Sequence, residues 1–167
     1  MKPKVVVIIV IWNGVNDTVE CLQSLIQEGY PNLEILIVDN GSSDNSVLIL
    51  REMQFPVRVI QNGSNLGFTG GNNVGLEEAR RLNARYVFLL NNDTTLERGA
   101  IRALVDAAEA NPGAAIVAPV MHYYDNPSEV WFAGALLDLT RAEATHDGSM
   151  RPSRSKAPYE NSWVSGC

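Results

Sequence analysis

The segment VVVIIVIW at residues 5–12 decides the fold class, because eight apolar residues follow one another without a polar interruption. Strands have this composition when helices cover both faces of a parallel sheet. Apolar residues then recur at helical spacing until Gly29, and Asp17 with Glu20 resembles a capping box at the start of that helix. The sequence therefore predicts a buried strand followed by an amphipathic helix.

The same alternation continues along the chain. Further strands are predicted over residues 33–38, 57–60, 86–90 and 114–118, and further helices near residues 46–53, 72–83 and 97–110. Thr94 or Thr95 is predicted to cap the last of these helices. Strands that alternate with helices in this way define an α/β fold, with a mostly parallel central sheet flanked by helices.

The pattern predicts an α/β core over residues 1–119 and the start of a second region over residues 120–167. Short strands of the second region are predicted within residues 122–125, 130–132 and 135–139. Residues 140–158 are polar and predict a loop. The chain then ends on an apolar segment, which suggests a domain truncated at its C-terminus.

Composition and charge exclude several classes of function. The chain carries 13 basic and 19 acidic side chains, so its net charge is −6 and no broad cationic surface is expected for nucleic acid. No apolar run approaches the length of about 20 residues that a transmembrane helix needs. Cys21 and Cys167 are isolated from each other and predict neither a disulfide framework nor a zinc site. We expect a cytoplasmic protein, either free or attached peripherally at the inner membrane face.

Two acidic residues follow predicted strands directly, at the edge of the sheet where ligands bind in open parallel folds. The carboxylate of Asp39 is predicted to accept hydrogen bonds from the base or ribose of a nucleotide. Asp93 is predicted to hold Mg²⁺ or Mn²⁺, because such a cation needs only one or two carboxylates in addition to substrate phosphates. A structural cap is the alternative for Asp39, and a turn with a helix cap is the alternative for Asp93. Asp44, in the same loop as Asp39, is predicted to be a turn or cap residue.

The segment NLGFTGGNN at residues 65–73 places glycines just before a predicted helix, whose N-terminus would favour an anion. It is neither a Rossmann fingerprint nor a P-loop. The loop is therefore predicted to approach a phosphate group. The alternative is a tight turn packed beneath the sheet, and Gly75 is predicted to be such a packing residue.

Four motifs carry a resemblance to a known family: VVVIIVIWN, ILIVDNGSSD, NLGFTGGNNVG and YVFLLNNDTTL. In this order and spacing they resemble the N-terminal, nucleotide-sugar-binding part of inverting family 2 glycosyltransferases. Within that family the chain is most similar to the bacterial rhamnosyltransferase-like branch. The resemblance implies a Rossmann-like GT-A fold, and it extends from about Val5 to Pro119 and more faintly to Cys167.

The resemblance implies transfer of a sugar, rhamnose in this branch, from a dTDP- or UDP-sugar to a saccharide or lipid-linked acceptor, with Mg²⁺ or Mn²⁺. It implies that Trp12 and Asn13 border the nucleobase, that Asp39 binds the base or ribose, and that Asp93 is the metal ligand. The remaining residues that it implies for donor binding are Asn65, Gly67, Gly71, Asn72 and Asn92. Trp12 stands where many members have Tyr. Asn91 replaces the first carboxylate of the D-x-D-like motif, so metal affinity is expected to be modest.

The general base of this family is an Asp or Glu beyond a Ser-Gly-Cys-like segment, which places it beyond Cys167. This chain is therefore expected to bind the donor without transferring the sugar. Two alternative functions stay open. A sugar-phosphate nucleotidylyltransferase would carry a basic triphosphate loop after the first strand, but residues 12–16 contain no basic side chain. The other alternative is a non-catalytic module that binds nucleotide sugar.

Overall fold

The computed structural model describes residues 1–134, 136–138, 140–141 and 143–145. These residues fall into two compact units, of which the first spans Met1–Ile101 and the second begins at Arg102. The helices are α1 (Val15–Glu28), α2 (Ser46–Glu52), α3 (Gly67–Arg81) and α4 (Ala100–Ala110). The longer strands are β1 (Val5–Ile11), β2 (Leu33–Asp39), β3 (Val57–Gln61) and β4 (Tyr86–Asn91). Four short strands follow, namely β5 (Met121–His122), β6 (Val130–Phe132), β7 (Leu136–Asp138) and β8 (Glu143–Thr145).

The first unit is built on one parallel sheet with the strand order β3-β2-β1-β4. In its register Ile11 is the partner of Asp39, and Val10 is the partner of both Val38 and Asn91. The carboxyl ends of β2 and β4 therefore lie at nearly the same level on either side of β1. This arrangement confirms the predicted α/β fold with a parallel central sheet.

Both faces of the central strands are buried, as their continuous apolar sequence predicts. Val6 and Ile8 of β1 form a buried cluster with Leu36 and Val38 of β2 and with Ala79 of α3. The alternate residues of β1 point to the opposite face, and they are also buried. Parallel strands covered on both faces read as uninterrupted apolar runs, which explains why β1 shows no polar–apolar alternation.

Two glycines allow α3 to pack closely on the sheet. A Cβ atom added at Gly75 would lie 2.5 Å from the Cγ2 atom of Ile8, and one added at Gly71 would lie 2.7 Å from the Cγ1 atom of Val10. Both distances are shorter than van der Waals contact, so any side chain at these two positions would push the helix away from the sheet. The predicted packing role of Gly75 is confirmed.

The structure corrects three predicted helix starts. The first helix begins at Val15 after Gly14, which has φ 71°, and no side chain caps it, so the capping box at Asp17 was wrong. The glycine-rich segment is mostly helical, because α3 begins at Gly67 rather than near residue 72. The last helix begins at Ala100, too far along the chain for Thr94 or Thr95 to cap it.

A fifth parallel strand was predicted over residues 114–118, but this segment has no strand hydrogen bonding. It is largely exposed, with Ile116 at 70%, and a strand backbone in that setting would lack partners for its polar groups. In the second unit, β5 pairs with β6 and β7 pairs with β8, in both cases antiparallel. The β8 strand lies in the segment predicted as a polar loop. The rest of that segment and the apolar chain end lie outside the described residues, and the predicted boundary after Pro119 stays a prediction.

Candidate functional site

The loops that follow β1 and β2 are joined by hydrogen bonds at the carboxyl edge of the sheet. The backbone N–H of Asn13 donates to Ser42 Oγ over 2.8 Å, and the N–H of Ser43 donates to Asn13 Oδ1 over 2.9 Å. Asn13 has φ 62°, a backbone region that asparagine tolerates better than most residues. These bonds bring Asn13 into the same loop cluster as Asp39, and Trp12 beside it is 61% exposed.

Asp39 is the last residue of β2, and its side chain is buried with only 1% of the residue exposed. Its Oδ1 atom accepts the backbone N–H of Ser42 over 3.0 Å. Among the described residues, no group donates to its Oδ2 atom. A buried carboxylate therefore retains one oxygen that can accept a hydrogen bond from a ligand.

Asp44 stabilises the two loops rather than offering a free carboxylate. Its Oδ1 atom accepts the N–H of Ser46 at the start of α2 over 3.0 Å, and its Oδ2 atom accepts the N–H of Gly14 over 3.1 Å. The nearby Ser46 side chain and the backbone N–H groups of Ser46 and Gly14 lower the pKa of Asp44 below its ordinary value. The predicted turn role of Asp44 is confirmed.

Asn40 connects three segments, and the sequence analysis did not identify it. Its Nδ2 atom donates to the backbone oxygen of Gly67 over 2.9 Å, and its Oδ1 atom accepts from Asn62 Nδ2 over 2.8 Å. Gly41 has φ +79°, and a Cβ atom there would lie 2.9 Å from the Cα atom of Ser64. Asn40 and Asn62 directly follow β2 and β3, and this position could have indicated that they belong to the site. Their pairing could not be predicted, because it depends on the strand order.

The predicted donor-binding residues of the glycine-rich segment lie at the start of α3. Asn65 Oδ1 accepts the N–H of Gly67 over 2.8 Å, which places Asn65 at the helix entry. Asn72 is buried, and its Nδ2 atom donates to the backbone oxygen of Phe68 over 2.9 Å, within the same helix. The contacts of Gly71 are with the sheet. Contact of these residues with a donor stays a prediction.

The turn after β4 presents Asp93 to solvent. Among the described residues, the Asp93 carboxylate has no hydrogen bond and no ion pair, and no group of three or more acidic, histidine or cysteine side chains is placed to hold a metal ion. A single free carboxylate still fits Mg²⁺ or Mn²⁺, because these cations keep waters and bind substrate phosphates as further ligands. The donor set at this turn therefore fits a metal shared with a diphosphate.

Side chains of helix α1 hold the turn after β4 in place. Asn92 Nδ2 donates to Thr18 Oγ1 over 3.1 Å, so the amide of this predicted site residue is bound to α1. The Cys21 Sγ atom donates to the backbone oxygen of Asn91 over 3.7 Å. Burial and the nearby Asp93 carboxylate raise the pKa of Cys21 to about 12, and a hydrogen bond with the Thr94 backbone opposes this shift. Cys21 is thus a protonated, buried thiol.

Comparison with protein families and with curated relatives gives a consistent result. The family described as Glycosyl transferase family 2 matches residues 6–160. The glycosyltransferase GlyG of Streptococcus pneumoniae is 24% identical over 135 residues, which are 79% of this chain and 44% of the relative. The uncharacterized glycosyltransferase YibD of Escherichia coli is 31% identical over 118 residues, 65% of this chain and 33% of the relative. The chain thus spans less than half the length of these relatives.

Solved structures share the fold. A mannosyltransferase from Pyrobaculum calidifontis, in complex with GDP-Man and Mn²⁺, superposes with a TM-score of 0.62 at 20% identity, over 74% of this chain and 36% of that chain. TarS of S. aureus, residues 1–349 in complex with UDP-GlcNAc, superposes with a TM-score of 0.58 at 19% identity, over 74% of this chain and 41% of that chain. Within the part of the chain that the structure describes, no helix is long and apolar enough to cross a membrane.

Proposed function

The chain belongs to glycosyl transferase family 2, and from this premise we propose that its first unit binds a nucleoside-diphosphate sugar together with Mg²⁺ or Mn²⁺ for transfer of the sugar. Family membership favours this function over the nucleotidylyltransferase considered from the sequence. The finer features, inversion at the sugar carbon, a rhamnose donor and a saccharide or lipid-linked acceptor, are part of the proposal. They rest on the motif resemblance alone, whereas a cytoplasmic site of action, also part of the proposal, rests on the cysteine usage.

One observation carries the proposal. Within the described part of the chain, Asp39 and Asp93 each keep a carboxylate oxygen without a protein donor. Both residues lie at the same edge of the sheet, on opposite sides of β1. Neighbouring strands are about 4.8 Å apart, so the ends of β2 and β4 are separated by about 10 Å. This separation suits a ligand with a hydrogen-bonding nucleoside at one end and an anionic diphosphate at the other.

Different residues contact the nucleoside and the diphosphate of the donor. Asp39 Oδ2 accepts a hydrogen bond from the base or ribose, and the exposed Trp12 ring offers a stacking surface beside it. Asp93 would hold the divalent cation, which would supply positive charge to stabilise the departing diphosphate. The acceptor hydroxyl loses its proton to a general base that the resemblance places beyond Cys167.

The test is a binding experiment with UDP, dTDP and GDP and their sugar conjugates. Each ligand is titrated by calorimetry in the presence of Mn²⁺ and again in the presence of EDTA, and the melting temperature is recorded in parallel. At about 100 times its Kd, a bound ligand stabilises the folded state by about 2.7 kcal/mol, which is a measurable shift in melting temperature. We expect one nucleoside to bind with metal-dependent affinity. Absence of binding by all three in both conditions would contradict the proposal.

A further inference from the structure

Helix α1 carries a buried polar face that follows the segment after β4. Thr18, Cys21, Ser24 and Glu28 are spaced three or four residues apart and so lie on one side of the helix. The first two bond to the turn that contains Asp93, as described above. Ser24 Oγ accepts the N–H of Leu96 over 3.1 Å, and Glu28 Oε1 accepts the N–H of Ile101 over 3.1 Å. Side-chain hydrogen bonds from one face of α1 therefore bind the segment of residues 91–101 at four positions.

Two of these contacts hold the residues that directly precede Asp93. Thr18 Oγ1 accepts from Asn92, the residue immediately before Asp93. The Cys21 Sγ atom donates to the backbone oxygen of Asn91, two residues before Asp93. Thr18 and Cys21 are both fully buried, so water does not compete for these hydrogen bonds. Since the Asp93 carboxylate has no partner of its own among the residues that the structure describes, its placement depends on the turn that these two residues hold.

We propose that Thr18 and Cys21 are positioning residues, which fix the turn from Asn91 to Thr94 and thereby orient the Asp93 carboxylate toward a bound divalent cation. This inference rests on the proposed function. Residues behind a metal ligand commonly set its orientation, and their loss weakens metal binding by about tenfold or more. Neither Thr18 nor Cys21 needs to touch the cation or the nucleotide.

The test compares Thr18→Val, which keeps the side-chain shape but removes the hydroxyl, with Thr18→Ser, which restores it. The readout is the Kd of Mn²⁺ in the presence of saturating nucleoside diphosphate, measured from the electron paramagnetic resonance signal of free Mn²⁺. We expect Thr18→Val to weaken Mn²⁺ binding roughly tenfold and Thr18→Ser to recover most of it. Nucleotide affinity in EDTA should be unchanged.

Ser24→Ala is the matched control, because it also removes a hydrogen bond between α1 and this segment, but at Leu96, three residues beyond Asp93. It should lower the melting temperature and leave the Kd of Mn²⁺ unchanged. If Thr18→Val does not fold, Cys21→Ala provides the same comparison. An unchanged Mn²⁺ Kd in the folded variant overturns the inference alone. A wild-type protein without metal-dependent nucleotide binding overturns the proposed function, and the inference with it.

Discussion

The Nδ2 atom of Asn40 donates to the backbone oxygen of Gly67 over 2.9 Å, so the end of β2 is bonded to the first residue of α3. One helical turn later, Gly71 approaches the same amide: a Cβ atom added there would lie 3.1 Å from Asn40 Nδ2. The close contact between α3 and the carboxyl edge of the sheet therefore depends on both residues.

Gly71→Ala is expected to destabilise the protein by about 1–3 kcal/mol, because the new methyl group would also lie 2.7 Å from the Cγ1 atom of Val10. Urea denaturation measures the change in the free energy of unfolding. Gly113→Ala is the control, since nothing lies within 4 Å of a Cβ atom at that position. Equal stability of the two variants would show that the sheet relaxes around the added methyl group.

Asp93→Asn is expected to lose the metal-dependent part of nucleoside-diphosphate affinity, roughly tenfold or more, because the amide cannot replace a charged ligand of Mg²⁺ or Mn²⁺. The far-UV circular dichroism spectrum should be unchanged, since the carboxylate is exposed and none of the described residues bonds to it. Glu97→Gln removes a neighbouring exposed carboxylate and should keep full metal dependence. A normal response of Asp93→Asn to Mn²⁺ would exclude this residue as the ligand.

Asp39→Asn is expected to weaken nucleoside binding about tenfold in EDTA as well as in Mn²⁺, because a buried hydrogen bond to a charged acceptor is lost. The amide oxygen can still accept the N–H of Ser42, so the loop keeps its structure. Asp17→Asn, an exposed change in α1, serves as the control. Early melting together with normal nucleotide affinity would instead identify Asp39 as a structural cap.

The Cys21 thiol is expected to resist alkylation at about pH 8 in the folded protein and to react promptly in concentrated guanidinium chloride. Its pKa of about 12 keeps the nucleophilic thiolate scarce, and the side chain is fully buried. The measurement uses a Cys167→Ser background so that a single thiol is followed. Fast modification of the native protein would show that α1 separates readily from the turn after β4.

The lowered pKa of Asp44 predicts a stability contribution that depends on pH. Since the folded-state pKa is below the ordinary value of 3.8, the contribution is present above that value and is lost as the pH falls through the folded-state pKa. Asp44→Ala should therefore melt below the wild type at neutral pH, and the two melting temperatures should converge at strongly acidic pH. A difference that persists there would indicate an effect of packing rather than of charge.

The sheet was largely predictable from the sequence, whereas the entry to α3 was not. The apolar run at residues 5–12 predicts β1 to within one residue of its observed bounds, because a continuous β-branched run has few other stable states. The glycine-rich composition of residues 67–71 predicts a loop, since glycine has a low helix propensity. Close packing on Val10 overrides that propensity, and single-sequence patterns do not show which helix approaches which strand.

The same limit applies to the candidate site. The positions of Asp39 and Asp93 directly after buried strands predicted that both lie at one edge of the sheet, and the strand order places them there. The hydrogen bonds of Asn40 and Thr18 join residues that are 27 and 74 positions apart in the chain. Such pairings depend on the order of the strands, which the composition of the individual segments does not specify.

The hydrogen bonds from α1 also determine how fast two backbone amide protons exchange with solvent. The amide protons of Leu96 and Ile101 are held by the side chains of Ser24 and Glu28 rather than by backbone carbonyls. They can exchange only when this helix face separates from the segment after β4, whatever the state of the β4 ladder itself. The protection of these two amides is therefore a direct measure of how often the segment that carries Asp93 is released.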